Sequence, residues 1–373
     1  MPVLNPKELI DHRVQAYKDI HDRTRATRAT IGVSGGADSA LVVQLLAKAV
    51  GPDRVTALWQ GASSNSAALE RARDVCAVAG VRLIQCDWTV IIAQAVSEMQ
   101  TALTLAGYSR AEIEAVIESD PDSIGGFRSC FRAPPLRLAN RLTGNGLVHG
   151  TGNEDEDRFM RFFQKGGDSE VDTSGISMFS KGEVYQLLFA LPTPRSILNA
   201  IPSPDLLGKG DGHSDDTEMK RFLRMPRLDW SVYSFLDKMG QYRNVGLIER
   251  INRFLDERIE IIGDLSHPDG YNGPTVMAVE DVLFGVSEPD LDALVALADV
   301  TGQFRGMDGN TLRELLGNVR RVEAATRHKY NPMLETLGTR EDMVREELLT
   351  DDLPDMPLAA PAVVIPAAGG FVG

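Results

Sequence analysis

The residues best suited to chemistry are Ser34, Gly35, Gly36, Ala37, Asp38 and Ser39. They follow the apolar run at residues 31–33 and precede Leu41, Val42, Leu45 and Leu46 at helical spacing. Strand, glycine turn and helix succeed one another there. Two glycines let the backbone approach a ligand where a Cβ would clash. The helix that follows aims its unpaired N–H groups and its positive end at the same point. Such a point holds an anion, and phosphate is its usual occupant. Ser34 and Ser39 add hydroxyl donors. Asp38 is the odd member, because a carboxylate beside a phosphate needs a cation between them, and Mg²⁺ suits both. A plain turn with a capping aspartate would account for a bare Gly-Gly. Ser-Gly-Gly-x-Asp-Ser after a strand is more specific. The lysine-bearing phosphate loop, Gly-x-x-x-x-Gly-Lys-Ser/Thr, does not occur in the chain.

Something must hold this loop at the edge of a sheet. Residues 6–24 place Leu9, Ile10, Val14, Tyr17, Ile20 and His21 at steps of three and four, an amphipathic helix with a basic outer face. After the loop and its helix, residues 55–59 read as a second strand and residues 60–66 as a polar loop. Residues 67–80 read as a helix and residues 81–86 as a third strand. Residues 89–118 read as helix broken at Gly107. Residues 146–149 form a short strand into Gly150-Thr151-Gly152-Asn153, and residues 182–191 a helix that ends at Pro192. Strands alternating with helices imply a parallel sheet with right-handed crossovers. Ligands of such sheets sit beyond the carboxyl ends of the strands, where the first loop lies.

Glu154, Asp155, Glu156 and Asp157 follow the fourth strand. Carboxylates favour the first turn of a helix, so a solvated helix start is one reading. A Mg²⁺ ligand among them is the other, with Glu156 preferred and Asp157 its rival. The stretch from Gly208 to Asp216 is rich in glycine and charge. Its composition reads as a surface loop of the kind that can close over a reacting centre.

Bulk composition narrows the partners. The 373 residues suffice for one large or two modest domains, and 43% hydrophobic with 25% charged content is ordinary for a globular chain. A net charge of −14 argues against a general grip on nucleic-acid backbone, while leaving small nucleotides open to a locally cationic site. No apolar run is long enough to span a membrane, and the first residues lack the basic-then-apolar layout of a leader, so a cytoplasmic location is expected. Cys76, Cys86 and Cys130 are scattered, which fits reduced thiols better than disulfides or a zinc site.

Taken in order, these segments resemble ammonia-dependent NAD synthetases of the ATP pyrophosphatase superfamily. The resemblance rests on Gly32-Val33-Ser34-Gly35-Gly36-Ala37-Asp38-Ser39, then Leu147-Val148-His149-Gly150-Thr151-Gly152-Asn153 with its acidic follower. It continues in Phe163-Gln164-Lys165-Gly166-Gly167-Asp168, in Asp172 and Lys181, and in Ile201-Pro202-Ser203-Pro204-Asp205 with Ser214-Asp215-Asp216, similar to that family's flexible loop. The pattern breaks after Lys220 and resumes near Met277. It ends in His328-Lys329-Tyr330, where the family has His-Lys-Arg. The implied fold is α/β: a twisted parallel sheet with helices on both faces, of the adenine-nucleotide alpha-hydrolase type, plus a mainly helical insertion. The expected divisions are a core at residues 1–220, the insertion at 221–275, helices completing the core at 276–349, and a tail at 350–373. The insertion carries Trp230, Tyr233, Tyr242 and Phe254 among many charges.

The resemblance also implies roles. ATP would be held by Gly32, Val33, Ser34, Gly35, Gly36, Ala37, Asp38 and Ser39, with Thr151 nearby and Lys181 and Ser203 on the outer phosphates. Mg²⁺ would lie on Asp38 and Glu156. Deamido-NAD would meet Arg132, Lys165 and Asp172, with His328 and Lys329 approaching from another segment or subunit. Asp168 would take a proton from ammonium. Its expected activity is amide formation through an acyl-adenylate, releasing AMP and pyrophosphate, in a homodimer. The short stretch before Gly32 leaves no room for a fused glutaminase, so free ammonia or a separate glutaminase is expected as the nitrogen source. This chain departs from the family most on the pyridine-nucleotide side. Adenylation of a different carboxylate is therefore the nearest alternative, and a non-catalytic nucleotide-binding protein the more distant one.

Overall fold

A computed structural model describes residues 2–62, 66–119, 122–158, 160–167, 169–200, 215–262, 302–326 and 335–354, together with positions 295, 296, 298, 329, 356 and 358. Asp168, Ser203, His328, most of the polar loop at 208–216 and the resumed family pattern at 277–285 lie outside the described residues.

Helix α1 (Pro6–Thr24) starts at Asn5, whose side chain accepts the Glu8 N–H, and buries Leu9, Ile10, Arg13, Tyr17, Ile20 and His21. That is the apolar stripe expected from spacing, with Arg13 drawn into it. Strand β1 (Ala29–Gly32) leads through the glycine loop to α2 (Ala37–Val50), which buries eleven of its residues because the sheet covers one side and α1 another. Strand β2 (Val55–Gly61) is buried throughout, as suits a central parallel strand flanked on both faces. Helix α3 (Ser66–Ala79) and strand β3 (Leu83–Asp87) complete one half of the sheet. The expected break at Gly107, where φ is +100°, separates α4 (Thr89–Leu105) from α5 (Arg110–Ser119). Helices α6 (Asp122–Phe131) and α7 (Ala133–Thr143) lead to β4 (Leu147–Gly150) and the one-turn α8 (Glu154–Asp157).

Strand β5 (Thr173–Ser174) precedes α9 (Lys181–Ala190) and the short α10 (Arg195–Leu198). Then come α11 (Asp215–Phe222), a two-stranded antiparallel ribbon of β6 (Phe235–Leu236) and β7 (Tyr242–Asn244), and α12 (Leu247–Ile262). Helix α13 (Gly309–Thr326), strand β8 (Glu335–Thr336) and helix α14 (Arg340–Arg345) close the described chain.

The main sheet has six strands in the order β3-β2-β1-β4-β5-β8, every neighbouring pair parallel. From β1 the chain winds outward through β2 and β3, then returns to β4 on β1's other side. The direction therefore reverses between β1 and β4, the crevice where such sheets bind ligands. Both loops singled out in the sequence, 34–39 and 151–153, leave the sheet at that crevice.

Two apolar clusters sit side by side. The first joins α1, α2, β1, β2 and α9 with Leu337, Met343, Leu348 and Leu349 from the end of the chain. The second joins Met160, Met219 and Leu223 to Ile248, Ile251 and Phe254 of α12 and to Leu312, Leu315 and Val319 of α13. Residues on both sides of position 275 thus share one core. Within the span of the expected insertion the described residues hold α12 and, with Tyr242, the ribbon of β6 and β7. The first residues past 350 are pinned: Arg340 donates to Thr350 O at 3.2 Å, and Arg250 to Met356 O at 2.7 Å. No described helix is long and apolar enough to cross a membrane.

Candidate active site

The glycine loop is braced from inside. Ser34 Oγ accepts the Gly36 N–H at 3.1 Å, and Ser39 Oγ accepts the Ser34 N–H at 3.2 Å. Ser39 Oγ also donates to Gly36 O at 3.2 Å. At Gly35 φ is +86°, a conformation that favours glycine, and a Cβ built there would lie 2.2 Å from Ala68 O. Arg71 Nε donates to Gly35 O at 2.9 Å, so α3 clasps the loop from outside. No side chain caps α2 at Gly36, which leaves its first N–H groups for a ligand.

Three chain segments meet in front of this helix end. Lys181, the first residue of α9, sets its Nζ 2.5 Å from Asp38 Oδ2 and 3.2 Å from Glu156 Oε1. Its side chain is only 3% exposed, against 15% for Asp38 and 25% for Glu156, so the centre opens on the carboxylate side. Asn153 joins the two carboxylates. Its Nδ2 donates to Asp38 Oδ1 at 3.2 Å, while its Oδ1 accepts the Glu156 N–H at 3.2 Å and caps α8. Burial pushes the Glu156 carboxyl above its ordinary value; Lys181 works against this shift and Asp38 adds to it.

The four consecutive acids divide sharply. Glu154 turns inward to Arg158 at 2.6 Å and to Arg253, which it meets through two contacts. Burial would raise its carboxyl, but Arg253, Arg340 and Arg158 together hold it down to about 2. Asp155 also turns inward. It accepts the Lys181 N–H at 3.0 Å and Asn252 Nδ2 at 3.2 Å, and burial with the charge of Glu249 pushes its carboxyl well up. Asp157 folds back on its own loop, where a Cβ on Gly152 would lie 2.0 Å from its Oδ2. That leaves Glu156 facing Asp38.

The residues expected on the acceptor side scatter more. Arg132 sits where α6 gives way to α7, and its carbonyl takes Gln60 Nε2, at the carboxyl end of β2, at 3.0 Å. Lys165 is exposed, and its carbonyl accepts Cys130 Sγ at 3.4 Å, so both residues border the end of α6. Thr151 follows β4 directly at the crevice. Asp172 lies apart from these. It is level with Val148, part-way down β4, where it accepts the Val148 N–H at 2.8 Å and pairs with Arg137 at 2.6 Å. Lys329 Nζ donates to Arg161 O at 3.2 Å and Phe163 O at 2.6 Å, tying the position after α13 to the segment before Lys165.

Sequence reasoning did not single out Asn153, although an asparagine directly before an acidic run is a helix-start signal. It also missed Tyr233, whose ring centroid lies 6.0 Å from Lys181 Nζ; an isolated tyrosine carries no motif.

A family model described as NAD synthase matches residues 9–229, more than half of the chain. The NH(3)-dependent NAD(+) synthetase of Methanosarcina mazei is 32% identical over 210 residues, covering 55% of this chain and 74% of that relative. The one from Mesoplasma florum is 27% identical over 213 residues, covering 57% of this chain and 80% of the relative. Among solved structures, an NMN synthetase from Francisella tularensis is 24% identical with a TM-score of 0.49, covering 58% of this chain and 82% of that one. Matched over more than half of its length, this chain belongs to the NAD synthase family.

Proposed function

We infer that the chain is an AMP-forming amide ligase that converts deamido-NAD, ammonia and ATP to NAD, AMP and pyrophosphate. The observation that carries this reading is the convergence of Asp38, Glu156 and Lys181 in front of an uncapped helix end, within a family of NAD synthases. A carboxylate at neutral pH is a poor electrophile. Its oxygen therefore attacks the α-phosphorus of ATP, the bond to the β-phosphate breaks, and pyrophosphate departs. Ammonia then attacks the acyl carbon, AMP leaves with the oxygen, and the nitrogen loses a proton.

The N–H groups around Gly35 to Ser39 would grip pyrophosphate as charge builds on it. Asp38 and Glu156 suit a hard divalent cation, since both are oxygen donors and both reach one ammonium nitrogen. Mg²⁺ bound there would neutralise phosphate charge and polarise the α-phosphorus. Lys181 would add a fixed positive charge for the outer phosphates, with Ser203 beside it and Thr151 near the nucleotide. Arg132 and Lys165, neighbours across α6, are assigned to the dinucleotide acceptor together with Asp172, His328 and Lys329. Asp168 is assigned the proton from ammonium.

The same reading includes a homodimer. Of the seventeen residues of α4 only Ile92 is buried, while Val90 is 77% and Leu105 84% exposed. A groove lined by Ile92, Val96, Ile117 and Ile124 runs on another side of α4. An apolar helix of this length exposed on a monomer suits a self-complementary contact. A cytoplasmic location, free ammonia or ammonia from a separate glutaminase, and the division into core, insertion and tail belong to the same proposal.

The test is incubation with ATP, Mg²⁺, ammonium and deamido-NAD, followed by assay of AMP and NAD. Equal amounts of both products are expected. AMP without NAD would redirect the reading to another carboxylate, and no AMP with any carboxylate would refute it. Asp38→Ala should cut AMP release by about a hundredfold or more while circular dichroism stays unchanged.

A further inference from the structure

The lysine of the ATP site is held from a direction that the family match does not cover. Lys181 opens α9, and its helix start is approached directly by Tyr233, Tyr242 and Glu249 and through Asp155 by Asn252, all beyond the matched span of 9–229. The Tyr233 ring lies 6.0 Å from Lys181 Nζ. Glu249, fully buried on α12, accepts the hydroxyl of Ser180, the residue capping α9, at 2.9 Å. The same oxygen accepts Tyr242 Oη at 3.2 Å, and the other accepts Ser234 Oγ. Tyr242 lies so close to α9 that a Cβ on Gly182 would sit 2.0 Å from its hydroxyl. Asn252 donates to Asp155, which in turn takes the Lys181 N–H. Arg253, the neighbour of Asn252, grips Glu154.

These contacts fix Lys181 at both of its ends. Backbone position follows from Ser180 and Asp155, each tied to α12. The ammonium sits among Asp38, Glu156 and the face of Tyr233, where an aromatic quadrupole favours a cation. A lysine stem has four rotatable bonds, and a strongly hydrated ammonium would otherwise sample them freely.

We propose that the segment from Tyr233 to Arg253 is a clamp that positions Lys181 for ATP, with Tyr233 and Glu249 as its positioning residues. This rests on the assignment of Lys181 to ATP made above. The second apolar cluster is then more than an appended body, because Tyr233 and Ile251 belong to it and Glu249 and Asn252 lie on the same helix. Packing in that cluster is transmitted to the phosphate end of the nucleotide through one helix start.

The full-length protein carrying Tyr233→Phe, Tyr233→Met, Glu249→Gln or Lys181→Met tests this. The readouts are kcat, KM for ATP, KM for ammonium, and melting temperature. Tyr233→Met is expected to raise KM for ATP by roughly three- to thirtyfold, with KM for ammonium unchanged, and Tyr233→Phe to restore the wild-type value. Glu249→Gln preserves shape but turns an amide N–H₂ toward a hydroxyl donor, and should show the same ATP-selective defect. An unchanged KM for ATP in Tyr233→Met alongside an inactive Lys181→Met would overturn the clamp alone. So would equal defects in Tyr233→Phe and Tyr233→Met. Full AMP release by Lys181→Met would overturn the assignment of Lys181 and the clamp with it. Should Tyr233→Met fail to fold, Glu249→Gln decides: equal rises in both KM values refute the clamp.

Discussion

At the scale of single residues, the phosphate loop is a case where chemistry and backbone demand the same sequence. Gly35 has φ +86° and no space, since Ala68 O stands 2.2 Å from where a Cβ would project. Alanine there must adopt a rarely populated conformation and also displace the start of α3. Gly35→Ala is expected to lower stability by roughly 1–3 kcal/mol. It should also abolish detectable ATP binding, because the displaced loop carries the N–H groups. Denaturant titration and ATP calorimetry measure the two effects separately; a variant of wild-type stability would contradict the strain argument. The loop was readable from sequence because its demands are local. So was the rivalry between Glu156 and Asp157 for the proposed cation, and only the fold adds that Asp157 curls onto Gly152 while Glu156 reaches Lys181. Asp172 shows the opposite limit. Its partner Arg137 is 35 positions away on α7, and no local pattern announces such a pair.

At the scale of elements, legibility followed the length of the apolar run. Strands β1, β2 and β4 are flanked by turn signals and buried on both faces, and were expected close to where they lie. Strands β5 and β8 have two residues each, too few to show any period, and exist because β4 offers an edge to β5 and β5 in turn to β8. The layer behind α8 was equally hidden. Arg253 on α12 is 1% exposed and meets Glu154, also 1% exposed, while Arg340 on α14 reaches the same carboxylate and pairs with Glu183 at 2.8 Å. Four elements thus meet in one buried set of charges. Removing one partner from such a set costs more than the pair itself contributes, since the other charge is left without water. Arg253→Met should therefore cost about 3 kcal/mol, at the low end for a buried pair because Arg158 and Arg340 still serve Glu154. Arg158→Met, whose side chain is 13% exposed, should cost less. Denaturant midpoints rank the two, and the reverse order would place the weight of the network on Arg158.

For the whole molecule, acid stability turns on a pair of histidines that tie α1 to the sheet. His21 Nδ1 lies 3.0 Å from Ala26 O, and a carbonyl can only accept, so this nitrogen carries the proton. His21 Nε2 is then bare and accepts from His149 Nε2 at 3.0 Å; His149 Nδ1 accepts the Thr173 hydroxyl at 2.7 Å. Both rings are neutral in this chain of bonds. Burial, then the neighbouring His21, drives His149 down to about 3, and burial lowers His21 as well. The unfolded chain takes up these protons near pH 6.5 and the folded chain does not. Their contribution is complete above pH 6.5 and is lost as pH falls toward 3, by about 1.4 kcal/mol per pH unit for each fully suppressed histidine. His149→Gln should flatten the fall in melting temperature between pH 6.5 and 4.5. Carboxylates titrate alike in both proteins, so the difference isolates the pair, and parallel curves would refute its role.

The proposed self-association also belongs to the molecule as a whole, and the helices it would use were legible only as helices, not as a surface. The pattern of α4 is apolar enough for a core, yet only its Ile92 is buried, and α5 buries none of its residues. Met99 is 62% and Val116 59% exposed on the same pair of helices. The chain carries a net charge of −14, so two copies repel at long range and must meet where charge is sparse. Helix α4 meets that condition, with Glu98 as its single charged residue, whereas α5 carries Arg110, Glu112, Glu114 and Glu118. In a C₂ contact, one substitution appears twice against its own symmetry mate. Val90→Glu together with Leu105→Glu would set four carboxylates into that contact while disturbing nothing buried in the monomer. Light scattering should report a dimer for the wild type and a monomer for the double variant, with the monomer's circular dichroism unchanged. A wild-type monomer at micromolar concentration, or a double variant that still dimerises, would move the interface elsewhere or remove it.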